Sequence, residues 1–268
     1  MPDFNRLDEI RRRKPLLHCI SNMVSINDCA NIALAIGASP IMAAAREEVD
    51  EITAASAATV LNTGTPTQER YDLCSLWLSA AAQSGQPVIL DPVGVGASSW
   101  RLRNIQDLLS QACPTLIRVN LGEAQALCGE TGREQGVDSL SSATPAQRMT
   151  LAEKLAKRYR TTVLLTGPCD LVHNGSEAVS ISGGSDRIGA ITGTGDMLSV
   201  LCGAFSAVEP DTLQAAALAA AFWKLCAERA ETAAAGHGIG EYRIRLFDAA
   251  SCMTPEELKA GSRMEVIR

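Results

Sequence analysis

The stretch Ile191-Thr192-Gly193-Thr194-Gly195-Asp196-Met197 sets two glycines and a carboxylate directly before the apolar run Leu198–Phe205. Gly193 and Gly195 let backbone N–H groups converge where side chains would block them. A helix starting there adds unpaired N–H donors and the positive end of its dipole, which together favour an anion. A carboxylate at that mouth can take a proton from a hydroxyl while the amides hold the charge that develops. The same residues read equally as a glycine-rich turn whose Asp196 only caps the helix.

Other groups that could share such chemistry follow apolar runs. Asp91 closes Pro87–Leu90, Arg118 closes Leu116-Ile117, and Glu123 comes soon after in Asn120-Leu121-Gly122-Glu123. Magnesium takes one or two carboxylates together with substrate phosphates, a role open to Asp91 and Glu123. Each could instead cap the helix that follows, and for Glu123 capping and metal work stand level. A guanidinium at Arg118 could clamp a phosphate. Together with the 193–196 cradle these residues describe phosphoryl transfer to a hydroxyl, in which positioning and charge neutralisation dominate and one base orients the nucleophile. His18 and His173 lie in strand patterns and His237 between glycines, so structural roles fit them better. His18 and Cys19, as strand neighbours, face opposite sides. No H-E-x-x-H, G-x-S-x-G or Walker A pattern occurs.

The positioning elements alternate between strands and helices. Leu7–Arg13 reads as a short helix and Leu16–Ile20 as a buried strand. A helix over Cys29–Ile36, capped by Asn27 or Asp28, stops at Gly37. Ala58–Leu61 is a strand, Gln68–Ser84 a helix with an apolar stripe, and Ile105–Gln111 a further helix. Thr131–Ala143 lacks periodicity and reads as a surface excursion. Pro145–Tyr159 is helical, Thr162–Leu165 a strand, and Leu171–His173 with Ala178–Ile181 a hairpin across Asn174-Gly175. A long Ala-rich helix runs from Asp211 to about Ala234, another follows Gly240, and Thr254–Arg268 reads as a polar tail. The pattern predicts one α/β domain over residues 1–268: a mostly parallel sheet with helices on both faces, closed by an antiparallel hairpin. Ligands of such sheets lie beyond the carboxyl ends of the strands. That rim would gather Ser21-Asn22, Asn62-Thr63-Gly64, Asp91, Arg118, Asn120 and Thr166-Gly167.

The 268 residues are 46% hydrophobic and carry a net charge of −6, with no basic surplus for nucleic-acid phosphates. The one basic run, Arg11–Lys14, suits a solvated helix end. Nine cysteines without a C-x-x-C pair, and no secretory leader, fit reduced thiols in a cytoplasmic protein. The longest apolar run, Ala215–Trp223, is too short to span a bilayer, so no membrane role is expected.

Several stretches, taken in order, resemble the hydroxyethylthiazole kinase family. They are His18-Cys19-Ile20-Ser21-Asn22-x-Val24, Gly37-Ala38-Ser39-Pro40-x-Met42, Leu61-Asn62-x-Gly64-Thr65, Ile89-Leu90-Asp91-Pro92-Val93-Gly94, Ile117-Arg118-x-Asn120-x-x-Glu123, Thr166-Gly167-x-x-Asp170 and Thr192-Gly193-Thr194-Gly195. Gly-Ala-Ser-Pro-x-Met marks that family, while Gly-Thr-Gly and Asn-x-x-Glu recur across ribokinase-like folds. The resemblance implies a three-layer α/β/α ribokinase-like fold and ATP-dependent phosphorylation of the primary hydroxyl of 4-methyl-5-(2-hydroxyethyl)thiazole with Mg²⁺. It implies thiazole contacts at Met42 and Gly193, with Asn22 and Gly64 nearby. ATP contacts would fall at Arg118, Thr166 and Gly195, and acidic groups near the metal at Asp91 and Glu123. It also implies a homotrimer with active sites between subunits.

Two positions depart from that family's usual pattern. Val119 stands where the family commonly has glycine, which would alter how the nucleotide clamp sits. Asp196 stands where many members have cysteine; it suits proton abstraction better than a thiol, which is mostly protonated at neutral pH, and is the expected catalytic base. A hydroxymethylpyrimidine kinase would carry a Gly-rich opening before the first helix, which is missing. An NAD(P)H-hydrate dehydratase shares Gly-Thr-Gly-Asp but not the N-terminal signature. A non-catalytic thiazole-binding protein would have lost Asp91, Glu123 or Asp196.

Overall fold

The computed structural model describes residues 2–130 and 143–267. In chain order the first elements are α1 (Arg6–Arg13), β1 (Leu16–Ile20), α2 (Ile26–Ile36), β2 (Ser39–Ile41), α3 (Val49–Ala55), β3 (Ala58–Asn62) and α4 (Gln68–Ser84). There follow β4 (Val88–Asp91), α5 (Ser99–Gln111), β5 (Leu116–Val119), α6 (Leu121–Cys128), α7 (Pro145–Tyr159), β6 (Thr162–Leu165), β7 (Asp170–His173) and β8 (Ala178–Ser182). The chain closes with α8 (Thr194–Ser206), α9 (Thr212–Ala233), α10 (Ile239–Cys252), α11 (Pro255–Gly261) and β9 (Arg263–Ile267).

The strands form one sheet in the order β2-β1-β3-β4-β5-β6-β7-β8-β9. Pairs from β2 to β6 are parallel, and those from β6 to β9 antiparallel. One core lies between the sheet and α1, α2, α8, α9 and α10; the other lies under α3 to α7. Strand residues alternate between the two. Ala58 and Val60 enter the α8 side, whereas Leu61 enters the α4 side. The three-layer α/β/α expectation therefore holds, including the late antiparallel hairpin.

Local differences have local causes. Neither Asn27 nor Asp28 caps α2: the helix starts at Ile26, and Ser25, at the cap position, makes no capping bond. Helix α5 starts at Ser99, capped by Ser98, because that hydroxyl accepts the Arg101 N–H ahead of the apolar stripe. The tail is structured. Thr254 and Glu257 form a capping box that starts α11, and β9 then pairs with β8. Of the predicted excursion Thr131–Ala143, residues 131–142 lie outside the described residues. Among the described residues no helix is long and apolar enough to cross a membrane, and all nine cysteines are free thiols. His18 and Cys19 do face opposite sides: Cys19 lies in the α8-side core, while the His18 ring meets Trp77 of α4 at 3.8 Å.

Candidate active site

On the α8 side of the sheet, the apolar rows end in three polar residues. Asn62 is the last residue of β3 and pairs in register with Asp91, the last of β4; Arg118 is the third residue of β5. Helix α8 lies over them because Gly203 brings its backbone close to Val60, where an added Cβ would sit 2.8 Å from Cγ2. Its N-terminus thus opens at the strand ends. Gly193 occupies the N-cap position with φ +86°, and a Cβ there would come within 2.6 Å of the Ser25 Cβ. A Cβ on Gly195 would collide with the Arg118 guanidinium. Both glycines are therefore required by close approach, and Gly193 by its backbone as well.

Asp196 does not cap the helix it begins. Its Oδ1 accepts from Asn62 Nδ2 at 2.9 Å, its Oδ2 accepts from Asn22 Nδ2 at 2.7 Å, and the Ser25 hydroxyl also donates to Oδ2. Asn22 Nδ2 further reaches Asn62 Oδ1 at 3.0 Å, and Asn22 Oδ1 accepts the N–H groups of Val24 and Ser25. Asn62 Oδ1 also takes the Gly64 N–H at 2.9 Å, and a Cβ on Gly64 would press on Asn22. The carboxylate is thus held by three neutral side chains at the start of α8, and these bonds fix its direction.

Asp91 is fully buried. It accepts from Ser199 Oγ at 2.7 Å and from Asn62 Nδ2 at 3.3 Å, and pairs with Arg118 Nη1 at 3.3 Å. Asn62 therefore donates to both Asp91 and Asp196. Arg118 Nη2 approaches Thr166 Oγ1 at 3.5 Å, while its buried Nε has no partner among the described residues. These long or missing contacts leave guanidinium donors for an anion. Glu123 performs the capping half of its two readings: Oε2 accepts the Asn120 N–H and Asn120 Oδ1 the Glu123 N–H, each at 2.9 Å. Glu123 Oε1 accepts the Gly94 N–H, also at 2.9 Å, tying the loop after β4 to α6. Next to this rim lies a cavity of about 260 Å³ lined by Cys19, Ile20, Ile26, Met42 and Leu73, with Arg70 and Glu69 among its polar walls.

A family model described as the hydroxyethylthiazole kinase family matches residues 7–256. The chain belongs to that family. Hydroxyethylthiazole kinase of Listeria monocytogenes serotype 4a (strain HCC23) is 38% identical over 265 residues, covering 99% of this chain and 98% of the relative. That of Desulforudis audaxviator (strain MP104C) is 41% identical, covering 98% and 95%. The solved hydroxyethylthiazole kinase protein of Pyrococcus horikoshii OT3 matches with a TM-score of 0.88 at 32% identity, covering 99% of this chain and 98% of that one. Pyridoxal kinase from Staphylococcus aureus, at 13% identity and a TM-score of 0.65, shares the fold.

In this member of the hydroxyethylthiazole kinase family, Val119 packs into the core on the α3–α7 side, so its bulk points away from the face that carries Asn62 and Asp91. The Cys29 thiol meets Ser25, a partner of Asp196, but stays protonated at neutral pH. Cys29 donates weakly to Ser25 Oγ at 3.9 Å, and burial pushes its pKa up to about 12. Ser25 and Ser199 went unrecognised in the sequence. Ser199 follows Asp196 by three residues, so both lie on one face of α8, a signal that was readable; Ser25 carried none.

Burial pushes the Asp91 carboxyl up to about 7; Arg118 opposes the shift, and the Asp196 and Glu123 charges add to it. The folded protein thus keeps a proton that the unfolded chain releases at ordinary carboxylate pH. This group's contribution to stability consequently falls as pH rises from about 4 towards 7. In ¹³C spectra of Asp-labelled protein, one carboxyl is expected to titrate near neutrality, to vanish in Asp91→Asn, and to move to lower pH on adding magnesium and ADP. Titration of every aspartate below pH 5 would contradict the assignment, since about 5 already lies a full unit above the ordinary value.

Proposed function

We propose that this chain, one kinase domain over residues 1–268, transfers the γ-phosphate of ATP to the primary hydroxyl of 4-methyl-5-(2-hydroxyethyl)thiazole in thiamine biosynthesis or salvage. The observation that carries this reading is the Asp196 carboxylate, aimed by Asn62, Asn22 and Ser25 at the mouth of α8. Asp196 acts as general base. It accepts the hydroxyl proton as the substrate oxygen attacks phosphorus, and the N–H groups of residues 193–196 hold the charge on the transferring phosphoryl oxygens.

The apolar cavity beside Met42 suits a small heterocycle, whose alcohol arm would reach Gly193 and Asp196. Asn22 and Gly64 shape that end of the pocket from behind, since both the nitrogen and the oxygen of the Asn22 side-chain amide are engaged within the protein. Arg118, Thr166 and Gly195 would lie on the nucleotide side, with the guanidinium N–H groups able to donate to a phosphate oxygen. Asp91, Glu123 and Asp196 all face Arg118, and their combined charge outweighs burial in holding that guanidinium protonated. Among the described residues no group of three or more His, Cys, Asp or Glu side chains could hold an ion by itself, so a divalent cation here would draw most of its oxygens from the ATP phosphates and water. Asp91 and Glu123 would hold Mg²⁺ together with the ATP phosphates, and the ion would supply further neutralisation of phosphate charge.

The homotrimer implied by the family resemblance would let a neighbouring chain cover Met23 and Val24, apolar residues 77% and 66% exposed beside this pocket. Nine free cysteines suit a cytoplasmic setting. A coupled ADP-release assay tests the reading, with hydroxyethylthiazole, hydroxymethylpyrimidine and hydrated NADH offered separately. ADP formed only with the thiazole is the expected result. Turnover only with the pyrimidine would make the chain a hydroxymethylpyrimidine kinase, and turnover only with hydrated NADH a dehydratase.

A further inference from the structure

Two cations reach the turn after β6, residues 166–170, from opposite faces of the sheet. From α7, Arg148 Nη2 donates to the carbonyls of Leu165, Thr166 and Cys169 at 3.1 to 3.3 Å. From α9, Lys224 Nζ meets the carbonyl oxygens of Gly167 at 3.2 Å and of Pro168 and Gly183 at 3.3 Å, and Asp170 Oδ1 at 3.4 Å. The Lys224 and Asp170 side chains are 12% and 7% exposed. An ammonium has three N–H donors. Four oxygens from two chain segments, the 167–170 turn and Gly183, therefore surround Nζ as they would a bound ion, three of them as hydrogen-bond acceptors and the fourth as an ionic partner. Without a positive charge at that point, three carbonyl dipoles and a buried carboxylate would converge on one another unopposed. Asp170 Oδ1 also accepts the Gly167 N–H at 2.9 Å, so the same centre fixes the backbone next to Thr166.

We propose that Lys224 serves as a tethered monovalent cation, a positioning residue that holds the 166–170 turn, and with it Thr166 beside Arg118, in the arrangement that receives the nucleotide. The inference rests on the reading of Thr166 and Arg118 as ATP contacts. It carries a consequence for ion dependence: the native protein needs no free monovalent cation at this point, whereas a chain lacking the ammonium acquires such a need.

Lys224→Ala removes the ammonium and leaves its oxygen partners in place. The KM for ATP is expected to rise about tenfold, the scale of a lost charge-assisted hydrogen-bond set, while kcat changes much less. Ammonium or potassium chloride at constant ionic strength should bring that KM most of the way back in the variant and leave the native protein unchanged. Tetramethylammonium, too large for the oxygen cluster, should restore nothing. Thermal unfolding without substrates supplies a second readout, with ammonium raising the Tm of Lys224→Ala and not that of the native chain. That measurement stands even where the native protein fails to phosphorylate the thiazole, so failure of the kinase reading is seen separately. An unaltered KM for ATP in Lys224→Ala, or equal effects of tetramethylammonium and ammonium on both readouts, would overturn the proposal.

Discussion

Asp196→Asn is expected to lower kcat for the thiazole alcohol by about 10²–10⁴ while leaving its KM within a few-fold, because the change removes a proton acceptor and little shape. The asparagine can keep one oxygen toward Asn22 and Ser25, but its new NH₂ would then meet the Asn62 amide that now donates to Oδ1. A flip of Asn62 relieves that clash only by turning its own oxygen, which now holds Asn22 and the Gly64 N–H, away from them. A modest loss of stability should therefore accompany the kinetic loss, and circular dichroism with substrate binding separates the two. Steady-state kinetics over pH 6–9 gives the decisive comparison. If Asp196→Asn retains kcat within about threefold of the native value, Asp196 is not the base, since removal of a base reaches at least 10².

Arg118→Met is expected to damage both stability and nucleotide binding. Asp91 has no solvent exposure, and among the described residues its one ionic partner is Arg118. Removing one member of a buried pair costs about 3–5 kcal/mol, equivalent to a fall in Tm of roughly 6–20 °C for a chain of this size. The sign of the pH dependence follows from Asp91. Without the guanidinium its carboxyl rises further above the usual range, and protonation relieves the isolated charge, so the deficit should be smaller at pH 6 than at pH 8. The KM for ATP should rise at least about tenfold, the value of a charge-assisted contact to phosphate. Replacing both partners, Asp91→Leu with Arg118→Met, should return most of the stability and none of the activity, because a matched apolar pair avoids the desolvation penalty. A Tm for Arg118→Met within 2 °C of native and equal at both pH values would show that the pair carries no such energy.

Much of this protein was legible before folding was considered. Alternation of short apolar runs with amphipathic segments dictated a layered α/β sheet, and the boundaries of β1, α4, α7 and β6 coincide with their sequence patterns. Each of those elements carries its own signal: a short, mostly apolar strand, or a helix bounded by Thr67 or Thr144 at its start. Legibility failed where the cause was distant or local chemistry was overlooked. The tail is polar in composition although Thr254-Pro255-Glu256-Glu257 holds a capping box, and β9 becomes a strand only because β8 offers it an edge. Glu123 could not be divided between capping and metal work from its spacing, because the Gly94 N–H that engages it comes from another loop.

By itself the sequence determined the order of strands and helices, the carboxylate and glycines at 193–196, and the family, since these reside in residue identity and short-range spacing. Only the tertiary structure decided what Asp196 does with its oxygens. Asn22, Ser25 and Asn62 lie 174, 171 and 134 residues away along the chain, and they meet Asp196 because parallel strands end at one rim under the start of α8. The same geometry set Asn62 between two carboxylates, buried Asp91 against Arg118, and gathered four oxygens around Lys224. Burial and convergence set the charge and direction of these groups, and both arise from packing between segments that no local pattern connects.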